Sequence, residues 1–331
     1  MQKNHSFFLL FLWTYFSYAS ILVGVGGFDV IKNKHHYSFH DKNQTKHTFT
    51  NITEPLSKEA KNVNAISMWI TRDWSEDWYD AKIVQSEIVD KGYTPVFIFY
   101  WFADEVSVAF IQKHQAEYFQ TLRKFMYYLM KIDGKKIVVL NPEYNMAGVE
   151  QWQGMNQIFL KSFKILHTVP DVLVGPCVGD FGDYSSINEP NEWKIFHPSI
   201  EKAALEADFI AFQEMRALTR NSRDEILKVA QRSLYFSKYL YHTYHKPIML
   251  AYLAISTYGD EGERLQSDVY KEFLKVLPRM KQEGKLFYFG IFHYFDYPGH
   301  QGYFNKAEPF FGILDSHGKE KPALHYFREL K

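Results

Sequence analysis

The sequence predicts an α/β fold, a single (β/α)8 (TIM) barrel, on three observations. Eight short apolar runs recur along the 331 residues. Helical patterns or connections of the right length separate them. The runs are near-continuously apolar rather than alternating, as strands of a parallel sheet buried on both faces are. A doubly wound open sheet is the alternative. It is weakened because VGVGGF, after the first run, lacks the G-x-G-x-x-G spacing of a phosphate-binding turn.

The elements follow in order. ILVGV (21–25) is the first strand, and the His/Lys/Asn-rich stretch from Lys32 to Glu54 reads as a surface excursion. NVNAISMWI (62–70) precedes a helix at about 78–91, which Gly92 ends; TPVFIFYW (94–101) is a buried strand. A helix over about 108–132 leads into KKIVVL, and helical spacing over 155–168 leads into DVLVGPCVG (171–179). A helix near 199–206 precedes ADFIAFQ (207–213), and a longer one over 222–242 precedes KPIMLAYLAIS (246–256). The last pair is a helix at 263–283 and KLFYFGIFHYF (285–295), with a closing helix near 322–330. With no repeat, low-complexity tract or linker within 60–331, one domain over 20–331 is expected.

Residues 1–19 read as a targeting segment: Lys3, then an apolar stretch from Phe7 to Tyr18, then small residues at Ser17 and Ala19. Export is expected, with a membrane anchor as the outcome if the segment stays uncleaved. Lys+Arg and Asp+Glu number 38 each, which leaves no net field to draw nucleic acid. Cys177 is the only cysteine, so no intrachain disulfide forms. Asn43-Gln44-Thr45 and Asn51-Ile52-Thr53 match the N-glycosylation pattern, which matters in a eukaryotic source.

In a barrel the chemistry sits at the carboxyl ends of the strands. Those ends carry Trp69 and Asp73; Tyr100, Trp101 and Asp104; Asn141, Glu143 and Asn145; Asp180 and Asp183; Gln213, Glu214 and Arg216; Tyr252 and Ser256; and His293, Tyr294 and Asp296. Carboxylates flanked by aromatics fit glycosidic bond hydrolysis, where one acid protonates the leaving oxygen and flat rings stack on sugars. Trp69, Tyr100 and Trp101 would form the platform, with Asn141, Asn145, Asp180, Asp183, Gln213 and Tyr252 as further substrate contacts. Glu143 follows Pro142, which favours an extended Asn141 and a fixed aim for the carboxylate. Phosphoryl transfer lacks a basic or Gly-rich cradle, and Ser-His-Asp hydrolysis lacks a G-x-S-x-G elbow. The 14 histidines are scattered, and His242 and His245 lie near a helix end, so no metal or organic cofactor is expected.

The phrases LNPEYN, KPIMLAYLAIS and FHYFDYP resemble the barrel glycoside hydrolases of the large retaining clan, with the flavour of the mannanase-like family 26. The closing FGILDSHGKEKPALHYF resembles the segment after strand eight in those enzymes. The likeness covers roughly 62–331. It implies a general acid at the end of strand four, where Glu143 stands, and substrate contacts from His293 and Asp296 on strand eight. This chain departs from the pattern twice. Pro142 stands where the clan has Asn, and counting from Pro247 to the strand-seven nucleophile lands on Tyr252, with no Glu or Asp from Pro247 to Gly259. Tyrosine can be a covalent nucleophile, but it needs an adjacent base that the sequence does not show.

Glu214, after ADFIAFQ, is therefore the candidate second catalytic carboxylate, with Asp180 and Asp183 in reserve; a salt bridge from Glu214 to Arg216 or Arg220 is its structural alternative. The Asn188-Glu189-Pro190 string mimics a glycosidase acid motif, but it follows a polar loop and reads as a turn and helix start. The expected function is an exported glycosidase acting on a carbohydrate. A carbohydrate-binding barrel without catalysis and an inert structural barrel are the alternatives.

Overall fold

The computed structural model describes residues 21–27, 29–31, 36–40, 46–49 and 53–331, with side chains at 21–27 and 56–331. The expected leader (1–19) and the sequon residues Asn43 and Asn51 lie outside the described residues. Eight strands close a barrel: β1 Leu22–Val25, β2 Ala65–Ile70, β3 Thr94–Phe99, β4 Lys136–Leu140, β5 Val172–Gly179, β6 Ile210–Arg216, β7 Ile248–Ile255 and β8 Leu286–Ile291. Each pairs in parallel with its chain neighbours, and β8 closes on β1. This is the predicted (β/α)8 barrel.

Alternation along each strand divides the core in two. Val96, Ile98, Ile137, Val139, Cys177, Ala211, Met249 and Tyr288 fill the inside of the barrel. Phe97, Phe99, Val138, Leu140, Ile210 and Phe212 face the helices. Gly24 pairs with Gly290 across β1 and β8. A Cβ on Gly24 would overlap the Tyr288 hydroxyl, so this pair makes room for a phenol inside the barrel.

The long helices form where the patterns place them, at Val108–Leu129, Gly154–Leu166, Arg223–Tyr244 and Gly262–Glu283. Ser107 caps the first, accepting from the Phe110 amide at 3.2 Å, and Ser222 with Glu225 forms a capping box on the third. His245 ends that helix in the left-handed region. No helix among the described residues is long and apolar enough to cross a membrane.

Four elements differ from expectation. The helix at 78–91 starts only at Ala81, capped by Asp80, and widens into a π turn over Gln85–Val89. The helix near 199–206 is split among Pro190–Trp193, Lys194–Phe196, His197–Ile200 and Ala203–Glu206. Pro190 and Pro198 each fit only the first turn of a helix. The last apolar run divides, so that His293–Phe295 leaves the barrel and pairs with Gly312–Leu314. The polar excursion after β1 contains a three-stranded antiparallel sheet of Asp29–Ile31, His36–His40 and Lys46–Phe49.

Candidate active site

β4 ends at Leu140, and the Asn141 amide extends its ladder by donating to Phe99 O at 2.9 Å. Asn141 is not extended as Pro142 suggested. It sits in the left-handed region at φ 48, a conformation asparagine tolerates. Its side chain turns toward the helices, where Nδ2 donates to Tyr118 Oη at 3.1 Å. Glu143 is also left-handed, at φ 65, which costs an ordinary side chain about 1–2 kcal/mol. The strand therefore ends in two left-handed residues, the second of them strained, with a rigid proline between them. Such strain clusters where a side chain must be aimed.

Glu143 is half-buried. The Tyr252 hydroxyl donates to its Oε1 at 2.9 Å. Tyr100 Oη lies 3.3 Å from Oε2 and 2.8 Å from Asp104 Oδ1. One phenolic proton serves one acceptor, and the nearer is Asp104. A protonated Glu143 can then donate to Tyr100 Oη, completing a chain from Glu143 through Tyr100 to Asp104. Burial pushes the Glu143 carboxyl up to about 7; the Tyr252 bond pulls against this, while the charges of Asp104 and Glu308 add to it.

Aromatic rings surround that carboxylate. Trp69, half-buried at the end of β2, meets Tyr100 edge-on at 5.3 Å and lies 5.3 Å from Tyr252 and 5.4 Å from Phe292. His293 stacks on Phe292 at 4.0 Å and lies 5.1 Å from the His300 ring. Burial holds both histidines below their ordinary range, hence neutral near pH 7. His293 Nδ1 and Gln213 Oε1 are buried without hydrogen-bond partners among the described residues. Gln213 shares the inward positions of β6 with Ala211, beside Tyr252 on β7.

The geometry does not bring Glu214 to this group. β6 does not stop at Gln213 but runs to Arg216. Glu214 thus alternates with Ile210 and Phe212, facing the helices. It is fully buried, accepts from Tyr184 Oη at 2.6 Å and pairs with Arg216 at 3.3 Å. Burial raises its carboxyl to about 8, against the pull of Arg216. Its surroundings are those of the salt-bridge alternative, not of a partner to Glu143.

Most other candidates take up structural positions. Asn145 clamps the loop to β5, donating to Gly179 O at 2.8 Å and accepting from Gly179 N at 2.7 Å. Asp180 is buried against Arg232, which donates to both its oxygens at 2.6 and 2.8 Å. Asp183 is exposed and accepts from the Ser185 amide, which holds its carboxyl below the usual range. Asp183, Glu189 and Glu192 gather ligand oxygens within 4.8 Å, but the Arg232 guanidinium pairs with Glu189 and Glu192 there. Glu189 stands at the start of Pro190–Trp193, as its turn-like context predicts. Trp101 is wholly buried under Arg72. Asp296 accepts from Lys321 Nζ at 2.6 Å and from the Gly312 amide, while burial raises its carboxyl to about 6.

Of the expected residues, Trp69, Tyr100 and Tyr252 gather around Glu143. Sequence reasoning left out Phe292, inside the last apolar run, and His300 and Glu308, beyond it. It noted Asp104 at a strand end without giving it a part. The Tyr100-x-x-x-Asp104 spacing after β3 was the available signal.

No family model matches the chain, and no curated protein sequence matches it. Among solved structures it is similar to the β-D-glucuronidase of Dictyoglomus thermophilum, at 13% identity and a TM-score of 0.57, over 83% of this chain and 45% of that one. It is similar to xylanase 10B of Thermotoga petrophila, at 10% identity and 0.56, over 94% of each. A psychrophilic glycoside hydrolase family 10 endo-β-1,4-xylanase matches at 14% and 0.55, over 94% and 97%. The chain spans about half the length of the glucuronidases and nearly all of the xylanases. At such identities the likeness is one of fold, and it does not single out the mannanase-like family 26. The chain has the (β/α)8 fold of these glycoside hydrolases.

Proposed function

We propose that this chain is an exported glycoside hydrolase in which Glu143 is the general acid. The observation that carries the reading is a carboxyl held up to about 7, aimed by a strained turn at the tip of β4 and ringed by aromatic faces. An acid of that strength still keeps its proton on about half of the molecules at neutrality. It can give its proton to a leaving glycosidic oxygen while Trp69 and Tyr100 offer surfaces to a sugar ring. Tyr252 acts as a positioning residue, since its hydroxyl fixes one carboxylate oxygen and leaves the other toward Tyr100. Export through the N-terminal segment, with a tether where it stays uncleaved, belongs to the same proposal.

The strongest outside charges on Glu143 are the carboxylates Asp104 and Glu308. A uronate would bring a further negative charge into that field. Neutral glycans are therefore the expected substrates, and polyuronates are not. One observation favours a second reading, a carbohydrate-binding barrel without catalysis: strand seven presents a buried phenol rather than a carboxylate. Reducing-sugar release from xylan, mannan, β-glucan and polygalacturonate, with binding measured beside it, separates the two. Release from a neutral glycan is the expected outcome; binding without release from any glycan would establish the second reading.

Tyr252→Phe gives a finer test. The phenol donates to the ionised carboxylate, so it lowers the Glu143 pKa, and removing it must raise that pKa. General-acid activity is lost as pH climbs through this pKa, so the alkaline limb of kcat/KM should move to higher pH in the variant. A limb that stays put, or moves down, would remove Tyr252 from this role.

A further inference from the structure

The reading above lacks a second carboxylate. Glu214 is sealed among Tyr184 and Arg216, and Glu308 is 3% exposed and pinned to the Phe304 amide at 2.8 Å. We propose that Asp104, on the loop after β3, is the catalytic nucleophile that works with Glu143. This inference rests on the glycosidase reading and deepens it.

Four observations converge on Asp104. Its carboxylate is exposed at the rim, so substrate can reach it without displacing a buried pair. Tyr100 Oη touches both Asp104 and Glu143, so the two carboxylates are separated by no more than two hydrogen-bond lengths. That upper limit leaves room for the close spacing of a retaining pair (~5–5.5 Å) and falls short of the wider ~6.5–9.5 Å gap that lodges a water. The charge of Asp104 is felt by Glu143, Tyr100 and His300, groups borne on three different loops. Finally, Ala103 is left-handed at φ 48, an unfavourable conformation for alanine immediately before the carboxylate. Backbone strain thus falls immediately before Asp104, at Ala103, and on Glu143 itself.

The chemistry balances with these two groups and water. An Asp104 oxygen attacks the anomeric carbon, the glycosidic C–O bond breaks, and the leaving oxygen takes the Glu143 proton. Glu143, now ionised, accepts a proton from a water that attacks the same carbon. The bond to Asp104 breaks, the carboxylate is regenerated, and Glu143 is again protonated. Tyr100 donates to Asp104 in the resting state and holds it in line.

The test uses the whole protein with 2,4-dinitrophenyl and methylumbelliferyl glycosides of glucose, mannose, galactose and xylose. A dinitrophenolate leaves without a proton, so Glu143→Gln should keep most of its kcat/KM on those substrates, while its kcat falls because the second step loses its base. Asp104→Asn should lose at least about 100-fold on both. Azide should restore turnover of Asp104→Ala, giving a glycosyl azide of configuration opposite to the substrate's. Asp104→Asn should also move the alkaline limb to lower pH, because Asp104 raises the Glu143 pKa; a merely structural aspartate gives no azide product. Asp104→Asn within tenfold of wild type, while Glu143→Gln fails on methylumbelliferyl glycosides, would overturn the assignment and leave the glycosidase reading standing. Wild type that turns over none of these glycosides, nor any glycan, would end both.

Discussion

Glu143→Gln is expected to reduce hydrolysis of unactivated glycosides by about 10²–10⁴-fold, the range of a lost general acid. The same change should leave the fold at least as stable. The sign follows from proton linkage. Burial holds the folded carboxyl at about 7, whereas an unfolded glutamate titrates near ~4.3. Between those values the folded chain binds more protons than the unfolded one, so its stability falls as pH rises and stays lower above 7. Glutamine carries no titrating proton and escapes that loss. The variant should therefore melt higher than wild type at pH 8 and no differently at pH 4. Activity lost together with a raised melting temperature at pH 8 marks a group kept for function against stability. A melting temperature lowered at both pH values would instead make Glu143 a structural residue and remove the general acid from the proposal. In the wild type, kcat/KM should fall on the alkaline side with a midpoint near 7, where Glu143 gives up its proton.

The strands were legible because parallel-barrel strands are apolar on both faces, so KIVVL and TPVFIF need no tertiary context to be read. Counting along β7 from Pro247 led to Tyr252 only as the residue at the expected nucleophile position; that its hydroxyl donates to Glu143 is visible in the structure alone. The misreading of Glu214 came from the four residues after Phe212. The apolar run stops at Phe212, yet the strand continues through Gln213-Glu214-Met215-Arg216, with polar side chains buried by partners elsewhere in the chain. Once the strand is that long, alternation turns Glu214 away from the site and Gln213 into it. Likewise, Pro142 biases Asn141 toward extended backbone, but Asn tolerates the left-handed region and the turn prevails. Ala103 carries no local signal for a left-handed turn, so the aim of Asp104 becomes visible only in three dimensions. The contacts that assemble the site span long separations, such as 109 residues from Tyr252 to Glu143 and 43 from Tyr100 to Glu143. No periodicity encodes them.

Arg232→Met is expected to destabilise the fold by about 3–5 kcal/mol, the range for breaking a buried ion pair from one side. Arg232 is fully buried on the helix that follows β6. It donates twice to Asp180, once to Ser186 O at 2.7 Å and once to Glu192 at 2.9 Å, and it also pairs with Glu189. The guanidinium stacks on Tyr184, whose other side meets the rest of the network through Glu214 and Arg216. Glu189 and Glu192 can turn to water when Arg232 is lost, but Asp180 cannot. Its remaining donors are a Trp193 indole at 3.1 Å and the Gly182 amide at 3.4 Å, too little for a charge with no access to solvent. Arg232→Lys should recover only part of the loss, because an ammonium cannot span both Asp180 oxygens as the planar fork does. The double variant Asp180→Leu with Arg232→Met should be less damaged than Arg232→Met alone, since it leaves no buried charge unpaired. Urea unfolding of the four proteins measures these differences. A loss below about 1 kcal/mol for Arg232→Met would make this an ordinary surface-strength pair. The network would then not be what holds the loop after β5 against the helix.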